Sequence, residues 1–329
     1  MNVVYVPSAI RKPFTFIDIS VVQAMRRMGF QVIVIRPGET LEQKWNHLKR
    51  ETRPDFLLAM LGERLTEANL QLIKTLPLPK AVWYTDDPYA IDRSVQTCHA
   101  FDWVFTNESE AVPVYQKKCS ARVIHLPLAA PHLTYQSLKT VPPSYRSQIV
   151  LVGSAFQNRL AVMEKISPVL KRFQTRLVGP GWDRLSSKSF FRLRKGWVKP
   201  SEVCRYYNGA RIVLNIHRSF DDPYLKQNRL RVRAATPNNR LFEIAACSAF
   251  QIIDFRQDLQ KYYVSDEEMV SFRSLEELKE KIRFYLPREQ LRRKIAARAY
   301  QRTIREHLYE HRIQKMVQLI QSGGIKNQI

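Results

Sequence analysis

The chain has 329 residues, too many for one typical domain and well suited to two of roughly 150 each. With 45% hydrophobic and 25% charged residues it has ample core material, which excludes a disordered polymer. No apolar run approaches the ~18 residues needed to span a bilayer. Its 53 Lys and Arg against 30 Asp and Glu give a net charge of +23, which points to anionic ligands or surfaces. No helix-turn-helix, aromatic RNA-binding motif or zinc finger accompanies the charge, so sequence-specific nucleic-acid recognition is not expected.

The N-terminal "NVVYVPS" and the later "QVIVIRP" read as short buried strands. Between them "FTFIDISVVQAMRRMG" has helical spacing and ends at Gly29, a natural C-terminal cap. This start lacks the pattern of a signal peptide and is expected to be a first strand in a cytoplasmic protein. "DFLLAML", "KAVWYTDD", "DWVFTN" and "RVIHLPLA" are further strands, separated by helical "TEANLQLIKTL" and "SEAVPVYQKKC". Wholly apolar strands alternating with helices predict a parallel sheet covered on both faces. Residues 130–147, with three prolines and no periodicity, read as a domain linker.

The alternation then resumes. "QIVLVGS", "TRLVGPG", "KGWV", "RIVLNIH" and "FQIIDF" are predicted strands. "NRLAVMEKISPVLKRF" is a helix, and "SEVCRYYNGA" is one that Ser201 can cap. Ser274 and Glu277 form a capping box, Pro287 opens another helix, and the chain ends in long basic helices. Residues 218–238 carry no periodicity; a loop of that length is functional or disordered. It contains a second "DDPY", at 221–224, that repeats the one at 86–89 by coincidence. Cys98, Cys119, Cys204 and Cys247 are scattered, with no Cys-x-x-Cys pair, so neither a zinc site nor a disulfide framework is expected.

Ligands of parallel α/β sheets bind beyond the carboxyl ends of strands. At one such end Asp86 and Asp87 precede Pro88 and can orient sugar hydroxyls or supply a base, or else cap a helix and shape a turn. "LVGSAFQNR" places Gly153, Ser154, Asn158 and Arg159 at a strand-to-helix turn that can cradle phosphate. "RIVLNIHRS" brings Asn215, His217 and Arg218 to the same edge; His217 is either a ligand contact or structural. Trp182 either stacks on a ligand or, as favoured here, caps the core. Glu243 lies in the first turns of an apolar, small-residue helix. There it can accept both hydroxyls of a ribose, with Arg240 meeting a diphosphate, or form a surface pair with Arg240.

Taken together, "NRLFEIAACSAFQIIDF", "GWVKPSEVCRYYNGARIVLNIHRS" and "EEMVSFRSLEELKEKIRFYL" resemble the CgeB-type spore-maturation glycosyltransferase-like family. "WYTDDP", "FDWVFTN" and "HLPLAA" are similar to that family's N-terminal half. The resemblance implies the GT-B fold: an α/β architecture of two Rossmann-like, doubly wound domains facing a central cleft. It implies an acceptor-side domain over 1–140, a nucleotide-sugar domain over 141–305 and a final helix, 306–329, crossing back to the first domain. The implied donor is a nucleoside diphosphate sugar, with no obligatory cofactor or metal. Glu243 would match the ribose-binding carboxylate. Backbone at Trp197 and Val198 would contact the base, and Gly153 to Arg159 would lie beside the diphosphate. Arg159, Arg218 and Arg240, with His217 assisting, would stabilise the departing diphosphate, while Asp86 or Asp87 faces the acceptor. That acceptor would be a glycan, a protein or an anionic polymer of the spore coat or cell surface, and a peripheral membrane contact is compatible with it.

Two departures accompany the resemblance. Retaining enzymes of this fold often carry Glu-x7-Glu, and here the earlier position is Ala235. The glycine usual after the Ala-Cys pair is Ser248. The rival expectation is a catalytically degenerate scaffold that binds spore-coat or anionic polymer components.

Overall fold

The computed structural model describes residues 1–10, 12–35, 40–222 and 226–324. The chain forms two compact units. One comprises Met1–Leu128, Leu225–Ala235 and Tyr309–Ile329; the other comprises Ala129–Tyr224 and Thr236–Leu308.

In the first unit the strands are β1 (Asn2–Val6), β2 (Gln31–Val34), β3 (Phe56–Met60), β4 (Lys80–Tyr84), β5 (Trp103–Thr106) and β6 (Arg122–His125). They form one parallel sheet in the order β2-β1-β3-β4-β5-β6. All five side chains of β3 and all four of β5 are buried. Such strands cannot alternate apolar and polar, because helices cover both faces. Helix Phe14–Arg27 ends before Gly29, which takes a positive φ of 83°. Two helices escape the sequence reading: Leu41–Glu51, capped by Thr40, and Ile91–Thr97, which has no capping side chain. The stretch after Ser109 divides into a 3₁₀ turn, Ser109–Ala111, and a helix, Val112–Lys118.

In the second unit β7 (Ser147–Val152), β8 (Thr175–Gly179), β9 (Arg192–Lys195), β10 (Ala210–Asn215), β11 (Gln251–Asp254) and β12 (Val270–Phe272) form another parallel sheet. Its order is β12-β11-β10-β7-β8-β9. Counted within the unit this is 3-2-1-4-5-6, the Rossmann order, in which the strand sequence reverses between β7 and β10. Two expectations need correction. The strand near "KGWV" is Arg192–Lys195, because Gly196 turns at a φ of +76° and leaves Trp197 and Val198 beyond the strand. Ser201 lies inside helix Pro200–Gly209; Pro200 takes the first helical position, where a missing N–H costs nothing, and no side chain caps the helix. Ser274 does cap helix Leu275–Tyr285, accepting the Glu277 N–H at 3.1 Å.

Residues 130–147 are largely built into the second unit rather than free. Tyr135 is buried in its core, and the Leu138 N–H donates to Asn208 Oδ1 at 2.8 Å. The described part of 218–238 forms neither helix nor strand. Within the first unit, Val232 joins the core and the Arg229 backbone N–H donates to Asp92 at 3.0 Å. Pro223 and Tyr224 of the second "DDPY" lie outside the described residues.

Candidate functional site

The reversal point of the second sheet gathers the basic side chains. β7 ends at Gly153, whose φ of +136° is a backbone conformation that side chains rarely adopt. A Cβ at Gly153 would lie 2.5 Å from Arg240 Nη1 and 2.8 Å from Arg159 Nη1. Two guanidinium groups therefore converge over bare backbone. β8 ends at Gly179, also with positive φ, where a Cβ would collide with the Gly153 carbonyl. That carbonyl accepts the indole N–H of Trp182 at 2.9 Å, and Trp182 is buried in the core.

Helix Gln157–Leu170 follows. Arg159, only 1% exposed, donates through Nε to Ile216 O at 2.8 Å and through Nη1 to Ser154 O at 2.8 Å. Asn158 Nδ2 donates to His217 O at 2.7 Å. These bonds tie the helix start to the end of β10 across the strand reversal. Arg159 and Arg218 place their guanidinium carbons 5.0 Å and 4.8 Å from the ring of Phe156. Arg256, after β11, donates to Arg218 O at 3.1 Å. Arg240 reaches Val152 O at 3.4 Å through Nη1, while its Nε is buried with no hydrogen-bond partner among the described residues.

Glu243 sits in the first turn of helix Arg240–Ala246 and is 8% exposed. At that burial the alternative of a surface pair with Arg240 does not hold. Asn239 Nδ2 donates to its Oε1 at 2.7 Å. Burial pushes its carboxyl up to about 7, against the opposing pull of Arg240 and of hydrogen bonds from Asn239 and Tyr135. A shift in this range is typical of functional carboxyls.

His217 is also corrected. It is 2% exposed, and both ring nitrogens serve the fold. Nδ1 is 2.7 Å from Asp254 Oδ1, and Nε2 accepts the Asn238 N–H at 3.1 Å. Burial lowers it to about 4 despite Asp254, so the ring is neutral with its proton on Nδ1. It braces the loop before Arg240 and has no nitrogen left for a phosphate. Asn215 is likewise committed, donating to Gln251 Oε1 at 3.1 Å and accepting from Asn238 Nδ2 at 2.9 Å. Val198 lies in the core and Trp197 is half-buried beside it in sequence.

In the first unit the adjacent carboxylates part company. Asp86 is half-buried. Asp87 is 2% exposed and accepts from Thr106 Oγ1 at 2.6 Å, Tyr115 Oη at 2.8 Å and Ser94 Oγ at 3.4 Å. Burial raises it to about 6 against those donors. The expectation of two carboxylates presented to a ligand therefore fails at Asp87, which organises the interior. Sequence reading missed Asp18, which is buried and accepts from Tyr5 Oη and Ser8 Oγ, each at 2.6 Å. It also missed Asp254, Arg256 and Tyr135; only the position of Asp254 at the last residue of β11 and of Arg256 just past it could have flagged the first two.

The cysteines are free thiols, but the scatter in sequence is misleading for two of them: Cys204 Sγ lies 3.7 Å from Cys247 Sγ. Among the described residues no group of three His, Cys, Asp or Glu is arranged to hold a metal ion. No described helix is long and apolar enough to cross a membrane.

A family described as glycosyl transferase-like matches residues 159–318. The spore protein CgeB of Bacillus subtilis (strain 168) is 32% identical over 257 residues, covering 77% of this chain and 78% of that one. Among solved structures, sucrose-phosphate synthase from Thermosynechococcus elongatus superimposes with a TM-score of 0.68 at 11% identity, over 99% of this chain and 100% of that one. A glycosyltransferase from Rickettsia africae gives 0.67 at 11%, over 98% of each. Anabaena HepE, solved in complex with UDP-glucose, gives 0.64 at 10%, over 98% and 100%. At such identities the structural likeness speaks for the fold, and the sequence match speaks for the family. The chain has the GT-B fold and belongs to the CgeB family of glycosyl transferase-like proteins.

Proposed function

We propose that the protein transfers a sugar from a nucleoside diphosphate sugar to an acceptor, binding the donor at the carboxyl edge of the second sheet. In this reading Arg240 and Arg159 face the diphosphate over Gly153, and Glu243 accepts the ribose hydroxyls. Trp197 and Val198 border the base, and Arg218 adds positive potential. The observation that carries the reading is the pair of guanidinium groups converging on the bare backbone of Gly153, with Arg240 Nε buried and without a partner among the described residues. Such a group costs folding free energy unless a ligand satisfies it. Anions that develop on a leaving diphosphate are stabilised by donors fixed in advance, as Arg159 is by its two carbonyl partners. His217 acts as a brace in this scheme, and Asp86 rather than Asp87 is the first-unit carboxylate proposed to meet the acceptor.

A second reading, a binding protein on the same scaffold in the spore coat, is favoured by Ala235. It stands where a second glutamate is usual, and its N–H donates to Glu108 Oε1 at 3.0 Å. Thermal unfolding with UDP, ADP, GDP and UDP-glucose tests donor binding; a ligand at 100 times its Kd should add about 2.7 kcal/mol. Absence of any shift would remove the transferase reading. Binding without sugar release or transfer would select the second.

A further inference from the structure

Residues 171–211 hold eleven Lys and Arg against two acids, Asp183 and Glu202, a local excess of nine of the chain's 23 net positive charges. This segment includes the outer edge of the second sheet. Arg176 on β8 and Arg192 on β9 are register partners, and Arg194 projects from the same face two residues further along. Burial and the Arg192 charge both lower the Arg176 pKa, so the opposition is felt. Helix Pro200–Gly209 packs against this face. Glu202 lies 3.6 Å from Arg194, and the Arg205 guanidinium sits 5.6 Å from the ring of Tyr145.

Charges on an edge strand ordinarily serve to block pairing with another sheet. That accounts for Lys195 or Arg194 alone. It does not account for Arg176, which is on the second strand in, nor for two like charges placed directly opposite each other, which destabilises a sheet. The other basic stretch of the unit behaves differently. On helix Glu289–Glu306, Arg293 pairs with Glu289, Arg298 with Glu267 at 3.0 Å, and Arg302 with Glu268 at 2.8 Å and Glu306 at 3.0 Å. Arg293, Arg298 and Arg302 are thus paired with carboxylates within the fold. At the β8–β9 edge Arg194 has Glu202 and Arg176 donates to Arg146 O at 3.2 Å, but among the described residues no carboxylate lies within ion-pair distance of Arg176, Arg192 or Arg205.

We propose that the β8–β9 edge, with Arg176, Arg192, Arg194 and Arg205, is a docking surface for a linear phosphate polyanion without bases. Guanidinium forks favour phosphate oxygens and bind them in pairs. Tyr145 and Tyr206 pack on each other edge to face at 4.8 Å, with Arg205 over the Tyr145 ring and Tyr206 buried, so neither offers a free ring for base stacking. The proposal is independent of the nucleotide site at Gly153.

The test uses fluorescently labelled long-chain polyphosphate and the full chain, with anisotropy read across a salt series. The variant Arg192→Gln/Arg194→Gln/Arg205→Gln is compared with Arg293→Gln/Arg298→Gln/Arg302→Gln, which removes the same charge from paired positions of the helix. The edge variant should lose affinity on the order of tenfold at physiological salt, and its log–log salt slope should fall by about 2. The helix variant should stay near the parent. Equal losses in both, or none at the edge, would overturn the proposal. So would single-stranded DNA displacing polyphosphate at lower concentration, since Phe190, 47% exposed and two residues before β9, would then be a base platform. Arg192→Gln alone should leave the melting temperature unchanged or raised, because it relieves the opposition to Arg176; a marked fall would make Arg192 structural and count against the proposal.

Discussion

The carboxyl edges of the two sheets have the same topology-derived vocation and opposite chemistry. In the first unit the edge turns carboxylates inward. Asp18 is closed over by Tyr5 and Ser8, and Asp87 by Thr106, Tyr115 and Ser94. In the second unit the edge carries arginines, and its two glycines keep side chains away from the strand ends. A doubly wound sheet offers a crevice wherever its strand order reverses. What enters that crevice depends on whether the polar groups there are already satisfied. Asp87 has its donors within the fold; Arg240 has a nitrogen still waiting for an acceptor.

The largest expected effect that would sharpen this contrast is at Gly179. Gly179→Ala puts a methyl group into the Gly153 carbonyl at a positive φ, and neither backbone can move without disturbing β7 or β8. It should lower stability by about 3 kcal/mol or more, seen as a loss of several degrees in melting temperature. Gly153→Ala meets only the ends of two arginine side chains. It should therefore melt closer to the parent while losing UDP-glucose binding by calorimetry. If Gly153→Ala bound normally, the cradle over that backbone would not be a ligand site.

Next in size is Asp87→Ala, which leaves the hydroxyls of Thr106 and Tyr115 buried without their acceptor. It should cost about 2–4 kcal/mol and leave nucleotide affinity unchanged. Asp87→Asn separates charge from shape. The Asp87 carboxyl is raised to about 6 in the folded state against 3.8 ordinarily. The native state thus binds more protons than the unfolded one in that window, and stability contributed by this group falls as pH rises from about 4 to 6. The asparagine variant should lose that slope. A nucleotide-binding defect in either variant would break the distinction between the two edges.

Comparable in kind is Arg240→Gln, which removes one charge-assisted partner worth roughly 1.5–3 kcal/mol. UDP-glucose affinity should drop tenfold to a hundredfold, with only a small fall in melting temperature, because among the described residues Nε has no partner and Nη1 makes one long bond, to Val152 O at 3.4 Å.

These contrasts also mark what could be seen in advance. The strand runs, the alternation with helices and the placement of Gly153, Arg159 and Arg240 near one sheet edge follow from apolar pattern and from the rule that ligands meet strand ends. The pattern gives no sign of which way a polar side chain turns once it is there. Asp86 and Asp87 are neighbours in sequence, yet successive residues leaving a strand diverge, and Asp87 turned to the hydroxyl donors inside. His217 suited a ligand or the fold, with the fold slightly favoured. Its partners, Asp254 and the Asn238 amide, come from 37 and 21 residues away, beyond the reach of local pattern. Helix Leu41–Glu51 was legible and was passed over: Leu41, Trp45 and Leu48 recur at helical spacing behind the Thr40 cap and pack on the first core.

The smallest effect is also the most discriminating, and it concerns Glu243. Burial raises this carboxyl to about 7, while in an unfolded chain it would titrate near 4.5. Folding therefore favours the protonated form, and the stability it contributes declines as pH rises through about 4.5 to 7. Ribose binding has the opposite requirement, because a carboxylate accepts from both hydroxyls and a protonated carboxyl can accept fully from only one side. Affinity for UDP-glucose, whose diphosphate does not itself titrate in this range, should rise from pH 6 to 8 by about tenfold and then level off. The melting temperature should drift the other way. Glu243→Gln should flatten both profiles and hold affinity low throughout. A parent protein whose affinity is flat while its stability falls with pH would mark Glu243 as a buried structural acid. The same edge would then bind its diphosphate through Arg240 and Arg159 without a ribose contact from this helix.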